Sequence, residues 1–191
     1  MPAPDINFQF VDGEQANQHL DELAELYAEV YAEPPYEWGD DHVSLFRKWF
    51  DVQCRQQGFT LVEARQGDEL VGIGFGVTLL GNTPWWQNLV TPLDAEVTHE
   101  WPQRTFALVE LLVRSPWRRQ HIAESIHNLV LKDRPEERTT LTVLPAASAA
   151  QAAYARWGWQ KVAQKRNPLP GSPVFDVLVK ALRAGGGKAM G

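Results

Sequence analysis

The sequence predicts a single α/β domain with helices flanking one central sheet, and three observations support this fold class. Residues 105–113 form a nearly continuous apolar run, which is typical of a strand buried on both faces. An amphipathic helical pattern follows from Gln120. Segments with strand alternation and segments with helical spacing lie on either side of this stretch. With 191 residues and 44% hydrophobic side chains, the chain can bury one substantial core.

The first third of the chain predicts one strand and two helices. Residues 6–11 alternate between apolar and polar side chains and predict a half-buried strand. Residues 14–33 carry apolar side chains at helical spacing, and Pro34-Pro35 ends the predicted helix. A loop rich in aromatic and acidic residues follows, and a second helix is predicted over 42–57.

The middle of the chain predicts a hairpin and a long connection. Residues 59–65 and 70–79 read as strands joined by a Gly-Asp turn. The second strand contains Gly-x-Gly-x-Gly, which we interpret as a strand that another element approaches closely, because no helix opens after it. The connection over 80–104 is long enough to be functional or to contain a short helix.

The last third predicts alternating strands and one helix. The predicted elements are a buried strand (141–144), an alanine-rich helix (148–157) and two strands (160–166 and 174–181). The domain is expected to span 4–183, and the glycine-rich residues 184–191 are expected to form a flexible tail.

Composition excludes several classes of function. A net charge of −6 disfavours nucleic acid or an anionic membrane as partner and suits a cationic substrate. With Cys54 as the only cysteine, neither an internal disulfide nor a cysteine-based metal cluster can form, and His99-Glu100 lacks a second histidine at metalloprotease spacing, so no metal is expected. Without a signal peptide or a bilayer-length apolar run, a cytoplasmic location is expected.

The turn between the central strand and its helix has the chemistry of an anion site. Basic and polar residues follow Ser115-Pro116, at a point where helix N–H groups have no intrahelical partner and the helix dipole adds positive charge. A phosphate or pyrophosphate is a natural guest there. On these residues alone, a capped helix start with solvated arginines is the more frequent arrangement.

This turn resembles motif A of the GNAT superfamily of acyl-CoA-dependent N-acyltransferases, in which Arg/Gln-x-x-Gly-x-Gly/Ala opens a helix after a strand. The six positions here are Arg118, Arg119, Gln120, His121, Ile122 and Ala123. The first and last match, whereas His121 replaces a glycine. Since the backbone N–H survives that replacement, the resemblance implies weakened rather than lost phosphate binding.

Residues 139–159 resemble motif B of the same superfamily. The matching positions are Val143, Ala150, Tyr154 and Gly158. Trp159 replaces a phenylalanine conservatively, and Ala147 replaces an asparagine, which removes a side-chain hydrogen bond near the pantetheine arm. Two motifs in this order, followed by two strands, are more specific than either motif alone.

The resemblance implies a fold and a cofactor. The GNAT fold is a mixed, mostly antiparallel sheet splayed at its centre, where acyl-CoA binds. The implied donor is acetyl-CoA as co-substrate, without metal. The implied cofactor-binding residues are the backbone of Leu111, Leu112 and Val113 for the pantetheine arm, the turn from Arg118 to Ala123 for the pyrophosphate, and Ala150 in motif B.

Two residues are candidates for proton transfer. Tyr154 matches the family tyrosine near the sulfur, where a phenol can protonate the leaving thiolate. Glu110 is the only carboxylate in the central strand, and burial there would raise its pKa toward that of a general base. Glu110 could equally be a paired structural residue, and the alternatives for the base are Glu33, Glu37, Glu100 or a water chain.

Acceptor contacts are expected from the first helix, its following loop and the long connection. Carboxylates and aromatic faces suit a cationic amine. The candidates are Glu29, Glu33, Tyr36, Glu37, Trp38 and Trp85. For any one of them, a solvated acidic face or a place in an aromatic core is a common alternative.

The predicted function is an acetyl-CoA-dependent N-acetyltransferase that acts by direct transfer on a primary amine of a small molecule. One alternative is a catalytically weakened GNAT-fold module that binds acyl-CoA or a small ligand, since His121 and Ala147 depart from the motifs. Another is a protein N-acetyltransferase, which would need an open acceptor groove. A homodimer is compatible with eight tryptophans, some of which could lie in an interface.

Overall fold

A computed structural model describes residues 5–167 and 171–182. The strands of these ranges are β1 (Asn7–Val11), β2 (Thr60–Gln66), β3 (Glu69–Thr78), β4 (Thr105–Val113), β5 (Arg138–Val143), β6 (Gln160–Arg166) and β7 (Val174–Ala181). The helices are α1 (Gly13–Gln18), α2 (Leu20–Tyr31), α3 (Asp40–Gln53), α4 (Ala95–Thr98), α5 (Ile122–Leu131) and α6 (Ser148–Arg156). The predicted tail and both predicted domain limits lie outside the described residues.

The strands form a seven-stranded sheet in the order β1-β2-β3-β4-β5-β7-β6. Strands β4 and β5 pair in parallel, whereas β1–β2, β2–β3, β5–β7 and β6–β7 are antiparallel pairs. The predicted mixed, mostly antiparallel sheet is therefore confirmed. No helix among the described residues has the length and apolar character needed to cross a membrane.

The chain divides into two compact units. The first contains the residues up to Val77 together with Leu108–Asp133, and the second contains Thr78–Ala107 together with the residues from Arg134 onward.

The core of the first unit lies between its helices and strands. Its largest fully buried side chains include Leu26, Phe50 and Phe75. Helix α5 packs directly on β3, because a Cβ at Gly74 would lie 2.4 Å from Cγ2 of Ile126. A larger residue at this position would push the helix away. The prediction that another element approaches the glycine-rich strand closely is confirmed.

The predicted helix over 14–33 is wrong in one respect, since it is two helices. The break falls at His19, whose φ of −90° and ψ of 6° are not helical. The imidazole Nδ1 of His19 lies 2.8 Å from Oε1 of the buried Glu63. This contact with a distant strand explains why helical spacing alone did not reveal the break.

The second unit has its own small apolar cluster. Trp86, Ala163 and Val177 form its buried centre. The long connection contains the short helix α4, as its length suggested. Strand β5 begins at Arg138, three residues before the predicted start, because its polar threonines are also buried in the sheet.

Candidate active site

The turn that follows β4 contains two residues in the left-handed region. Ser115–Trp117 form a short 3-10 helix, after which Arg119 and His121 each have a φ of 61°. His121 is the N-cap of α5, with a ψ of 10°. Glycine adopts this conformation without steric cost, whereas histidine adopts it at a cost on the order of 1 kcal/mol. The turn therefore has left-handed backbone conformations that usually favour glycine, at positions occupied by arginine and histidine.

The start of α5 presents N–H groups that a bound anion could use. The first intrahelical bond runs from the Ser125 N–H to the carbonyl of His121, at 2.9 Å. The N–H groups of Ile122, Ala123 and Glu124 precede it and have no intrahelical acceptor. Glu124 accepts a hydrogen bond from the imidazole of His121 at 2.9 Å if Nδ1 carries the proton. The Glu124 carboxylate lowers the positive potential of this helix start.

Two arginines on either side of the 3-10 helix are paired with carboxylates of α2 and of the residues just after it. Arg118 donates through Nη1 to Oε2 of Glu33, at 2.5 Å, and through Nε to the carbonyl of Val113, at 3.0 Å. Arg114 pairs in the same way with Glu29. Glu29 lies in the last turn of α2, and Glu33 lies two residues after its last residue, Tyr31. The cations of the turn and the acidic acceptor candidates thus meet in the first unit.

Glu110 on β4 has an unusual proton affinity. The hydroxyl of Tyr31 donates to its Oε2 at 2.6 Å. Burial raises the pKa of Glu110 to about 7, and the Tyr31 hydrogen bond offsets only part of that rise. Burial and the nearby Glu110 raise the pKa of Tyr31 well above its ordinary value, so Tyr31 remains a donor throughout the neutral range.

Aromatic rings pack around Tyr31, the donor to this carboxyl group. Tyr31 stacks on Trp38 with ring centroids 4.5 Å apart and meets the edge of Tyr36 at 4.7 Å. Trp38 in turn stacks on His42. Glu110 thus faces the aromatic side of α2 and its following loop. This arrangement provides a proton acceptor near neutral pH beside ring faces that suit a cation.

In the second unit, Tyr154 lies on α6 among tryptophans. Its ring centroid is 5.7 Å from that of Trp157 and 5.7 Å from that of Trp159. Gln151 holds the helix in place by donating to Oδ2 of Asp176 at 2.9 Å. Ala150 precedes this glutamine on the same helix.

The candidates therefore fall into two groups, one in each unit. Glu29, Glu33, Tyr36, Trp38 and Glu110 lie with Arg118 in the first unit, Glu37 is exposed there, and Tyr154, Ala150 and Trp85 belong to the second unit. Trp85 lies over the Nζ of the buried Lys165, 5.3 Å from the ring centroid, and burial lowers the pKa of this lysine.

One alternative for the base, Glu100, is already paired. Glu100 is buried in the second unit and accepts from Arg138, Trp86 and Thr105. Among the described residues, no cluster of three or more His, Cys, Asp or Glu side chains is arranged to hold a metal ion.

The sequence analysis did not single out Tyr31 and Arg114. Tyr31 is four residues after Tyr27, so an aromatic pair at helical spacing just before the proline pair was a usable signal. Arg114 directly follows the predicted central strand, which places its charge at the start of the turn between this strand and the next helix.

Comparison with known families identifies the chain. The model of the acetyltransferase (GNAT) family matches residues 21–159. The chain belongs to this family. The match includes both motifs and the candidates in the first unit. No curated protein matches the chain in sequence.

Solved structures share the fold of this GNAT protein at low sequence identity. The ribosomal-protein-S18-alanine N-acetyltransferase from Escherichia coli is 12% identical, with a TM-score of 0.62 over 98% of this chain and 100% of that one. Aminoglycoside 6'-acetyltransferase type Ii is 17% identical, with a TM-score of 0.63 over 93% and 98%.

A third neighbour is a complex with coenzyme A. It is the PaiA N-acetyltransferase from Thermoplasma acidophilum, which is 12% identical with a TM-score of 0.59 over 93% of this chain and 99% of that one. Family membership supports acetyl-CoA as donor and an acyltransferase activity in general.

Proposed function

We propose that this GNAT protein transfers an acetyl group from acetyl-CoA to a primary amine of a small molecule, by direct transfer. The observation that carries the proposal is the Glu110 carboxyl group, whose pKa is about 7 and which lies among aromatic rings. A base with a pKa near the working pH is the most effective one for removing a proton from an ammonium group.

The reaction requires two proton transfers. Glu110 takes a proton from the acceptor ammonium, and the neutral amine then attacks the thioester carbonyl carbon. A C–N bond forms, the C–S bond breaks, and the departing thiolate takes a proton from Tyr154. Glu110 is preferred as base over Glu33 and Glu100, because those two carboxylates already accept from the guanidinium groups of Arg118 and Arg138.

The turn from Arg118 to Ala123, called the anion turn below, fits the charged end of acetyl-CoA. First-turn N–H groups of α5, with the guanidinium of Arg118, match the donor set that a pyrophosphate needs. In this proposal Arg118, Arg119, Gln120, His121, Ile122 and Ala123 bind the pyrophosphate, the backbone of Leu111, Leu112 and Val113 pairs with the pantetheine arm, and Ala150 adds a contact from α6.

The aromatic residues around Glu110 favour a small cationic acceptor. Tyr36 and Trp38 contribute aromatic rings next to Tyr31, and the acidic acceptor candidates Glu29, Glu33 and Glu37 belong to the same unit. Trp85 is a separate candidate in the second unit. The structural neighbours include enzymes named for a protein acceptor and for an aminoglycoside, so the acceptor class rests on these side chains.

Calorimetric titration with acetyl-CoA tests the donor site. We expect micromolar binding, on the order of −8 kcal/mol, and a roughly tenfold or greater loss of affinity in Arg118→Ala. Arg55→Ala removes an equal charge from an exposed pair with Asp51 and should bind normally. No binding by the natural protein would contradict the proposal and would favour a scaffold for another ligand, which the changes at His121 and Ala147 also suggest.

Thiol release in the presence of different amines tests the acceptor class. Small primary amines should support release, and N-terminal peptides should not. Release with peptides only would instead identify a protein N-acetyltransferase. Tyr154→Phe should lower kcat by about ten- to a thousandfold, and an unchanged rate would remove Tyr154 from the reaction.

A further inference from the structure

The ion pair between Arg118 and Glu33 joins the two halves of the proposed chemistry within the first unit. Arg118 belongs to the anion turn, and Glu33 follows α2 on the acceptor side. Nη1 of Arg118 lies 2.5 Å from Oε2 of Glu33, while Nε is fixed to the carbonyl of Val113 at 3.0 Å. One edge of the guanidinium is thus anchored on β4, and the other edge can exchange its partner.

The pair is open to competition from a phosphate. The Arg118 side chain is 38% exposed and that of Glu33 is 36% exposed. An exposed ion pair contributes little to stability, whereas a phosphate bound to the same guanidinium and to helix N–H groups makes several charge-assisted bonds. A phosphate can therefore displace the Glu33 carboxylate at little cost.

Glu33 is also connected to the aromatic residues around Glu110. Its carbonyl accepts from the N–H groups of Tyr36, at 3.1 Å, and Glu37, at 3.2 Å, so it begins the turn that carries the Tyr36 ring. That ring contacts Tyr31, which donates to Glu110. A carboxylate freed from Arg118 would lie at the start of this turn.

We propose that Glu33 is a positioning residue that couples the two substrates: it pairs with Arg118 in the free protein, and a phosphate that binds Arg118 releases Glu33 to receive the ammonium of the acceptor. This inference rests on the proposed function. Because coupling between two ligands is reciprocal, a bound cation on Glu33 also leaves Arg118 free and strengthens phosphate binding.

Carboxyl footprinting measures directly whether Glu33 is released from Arg118. The protein is treated with a carbodiimide and glycine ethyl ester, with and without saturating coenzyme A, and the labelled residues are located by mass spectrometry. Labelling of Glu33 should rise several-fold with coenzyme A, and Arg118→Ala should show the high level without it. Glu25, an exposed carboxylate on α2, should label equally in all samples. Glu33 labelling that stays constant or falls with coenzyme A overturns the coupling.

Calorimetry with coenzyme A separates this inference from the proposed function. Glu33→Gln should bind about three- to tenfold more tightly than the natural protein, with no such gain in an Arg118→Ala background or in the control Glu25→Gln. Equal affinity of Glu33→Gln and the natural protein overturns the coupling and leaves the donor site intact. No binding by any variant overturns both.

Discussion

Two carboxylates of the first unit, Glu63 on β2 and Glu110 on β4, are both withdrawn from water but have opposite proton affinities. Burial alone would raise the pKa of Glu63, yet hydrogen bonds from Arg65, His19 and Gln9 outweigh it and hold the pKa below its ordinary value. Glu110 receives one bond, from the neutral Tyr31, and its pKa rises to about 7.

The comparison shows that the partners of a buried carboxylate, and not burial by itself, decide its role. Glu63 is 0% exposed, but the hydrogen bonds that it accepts, above all from the guanidinium of Arg65, make it a structural anion. Glu110 is left with a neutral donor, so its proton can be exchanged near neutral pH. Four predicted effects of substitutions test this contrast.

The largest expected effect is on catalysis. Glu110→Gln removes the proposed base but keeps the size of the side chain, so kcat/KM should fall by about 10²–10⁴-fold. The natural protein should show an ionisation near pH 7 in its pH–rate profile, and this ionisation should be absent from the profile of Glu110→Gln. Glu63→Gln is the matched control and should keep that ionisation in the folded protein. A Glu110→Gln variant with a normal rate and profile would exclude Glu110 as base.

The second effect is on stability. Glu63→Ala leaves the guanidinium of Arg65 and the imidazole of His19 without their buried acceptor, which should cost about 3 kcal/mol of unfolding free energy in urea. Asp51→Ala breaks the exposed pair with Arg55 and should cost less than about 1 kcal/mol. Equal losses in the two variants would show that the Glu63 cluster gains nothing from burial.

The third effect is the pH dependence of stability, which should have opposite signs at the two sites. Between its ordinary pKa of 4.5 and its folded value of about 7, Glu110 binds its proton more tightly in the folded state, so its contribution falls as pH rises through this window. Glu63 has a lowered folded pKa, so its contribution is present above pH 4.5 and is lost on further acidification.

Urea unfolding of Glu110→Gln at about pH 5 and about pH 8 measures the first of these slopes. Relative to the natural protein, the variant should gain about 2 kcal/mol between the two values, allowing for partial solvent screening. Glu63→Gln should show no such gain in this range. A constant difference between Glu110→Gln and the natural protein would mean that Glu110 has an ordinary pKa.

The sequence predicted the local parts of this molecule well. The bounds of β4, β6 and β7 match the predicted ranges, because apolar runs and turn residues report directly on strands. A turn between β4 and the next helix was also predicted, and His121 in this turn has the left-handed backbone conformation that a glycine adopts readily.

The contacts that define the candidate site could not be predicted in the same way. The Tyr31–Glu110 bond joins residues 79 positions apart, and the Arg118–Glu33 bond joins residues 85 positions apart. Periodicity shows which face of an element is apolar, but it carries no information on which polar side chains meet across elements. The helix break at His19 was missed for the same reason, since it accompanies a contact 44 residues away with Glu63.

The smallest expected effect isolates the single hydrogen bond that distinguishes the environment of Glu110. Tyr31→Phe removes a donor that stabilises the carboxylate, so the pKa of Glu110 should rise and the acid limb of the activity profile should move to higher pH, with a several-fold loss of rate near neutrality. Tyr27→Phe removes a hydroxyl from the same helix, and its acid limb should stay in place. If the acid limb of the Tyr31→Phe profile moved to lower pH instead, water would have replaced the phenol as a stronger hydrogen-bond donor to Glu110. The aromatic residues would then not exclude water from this carboxyl group.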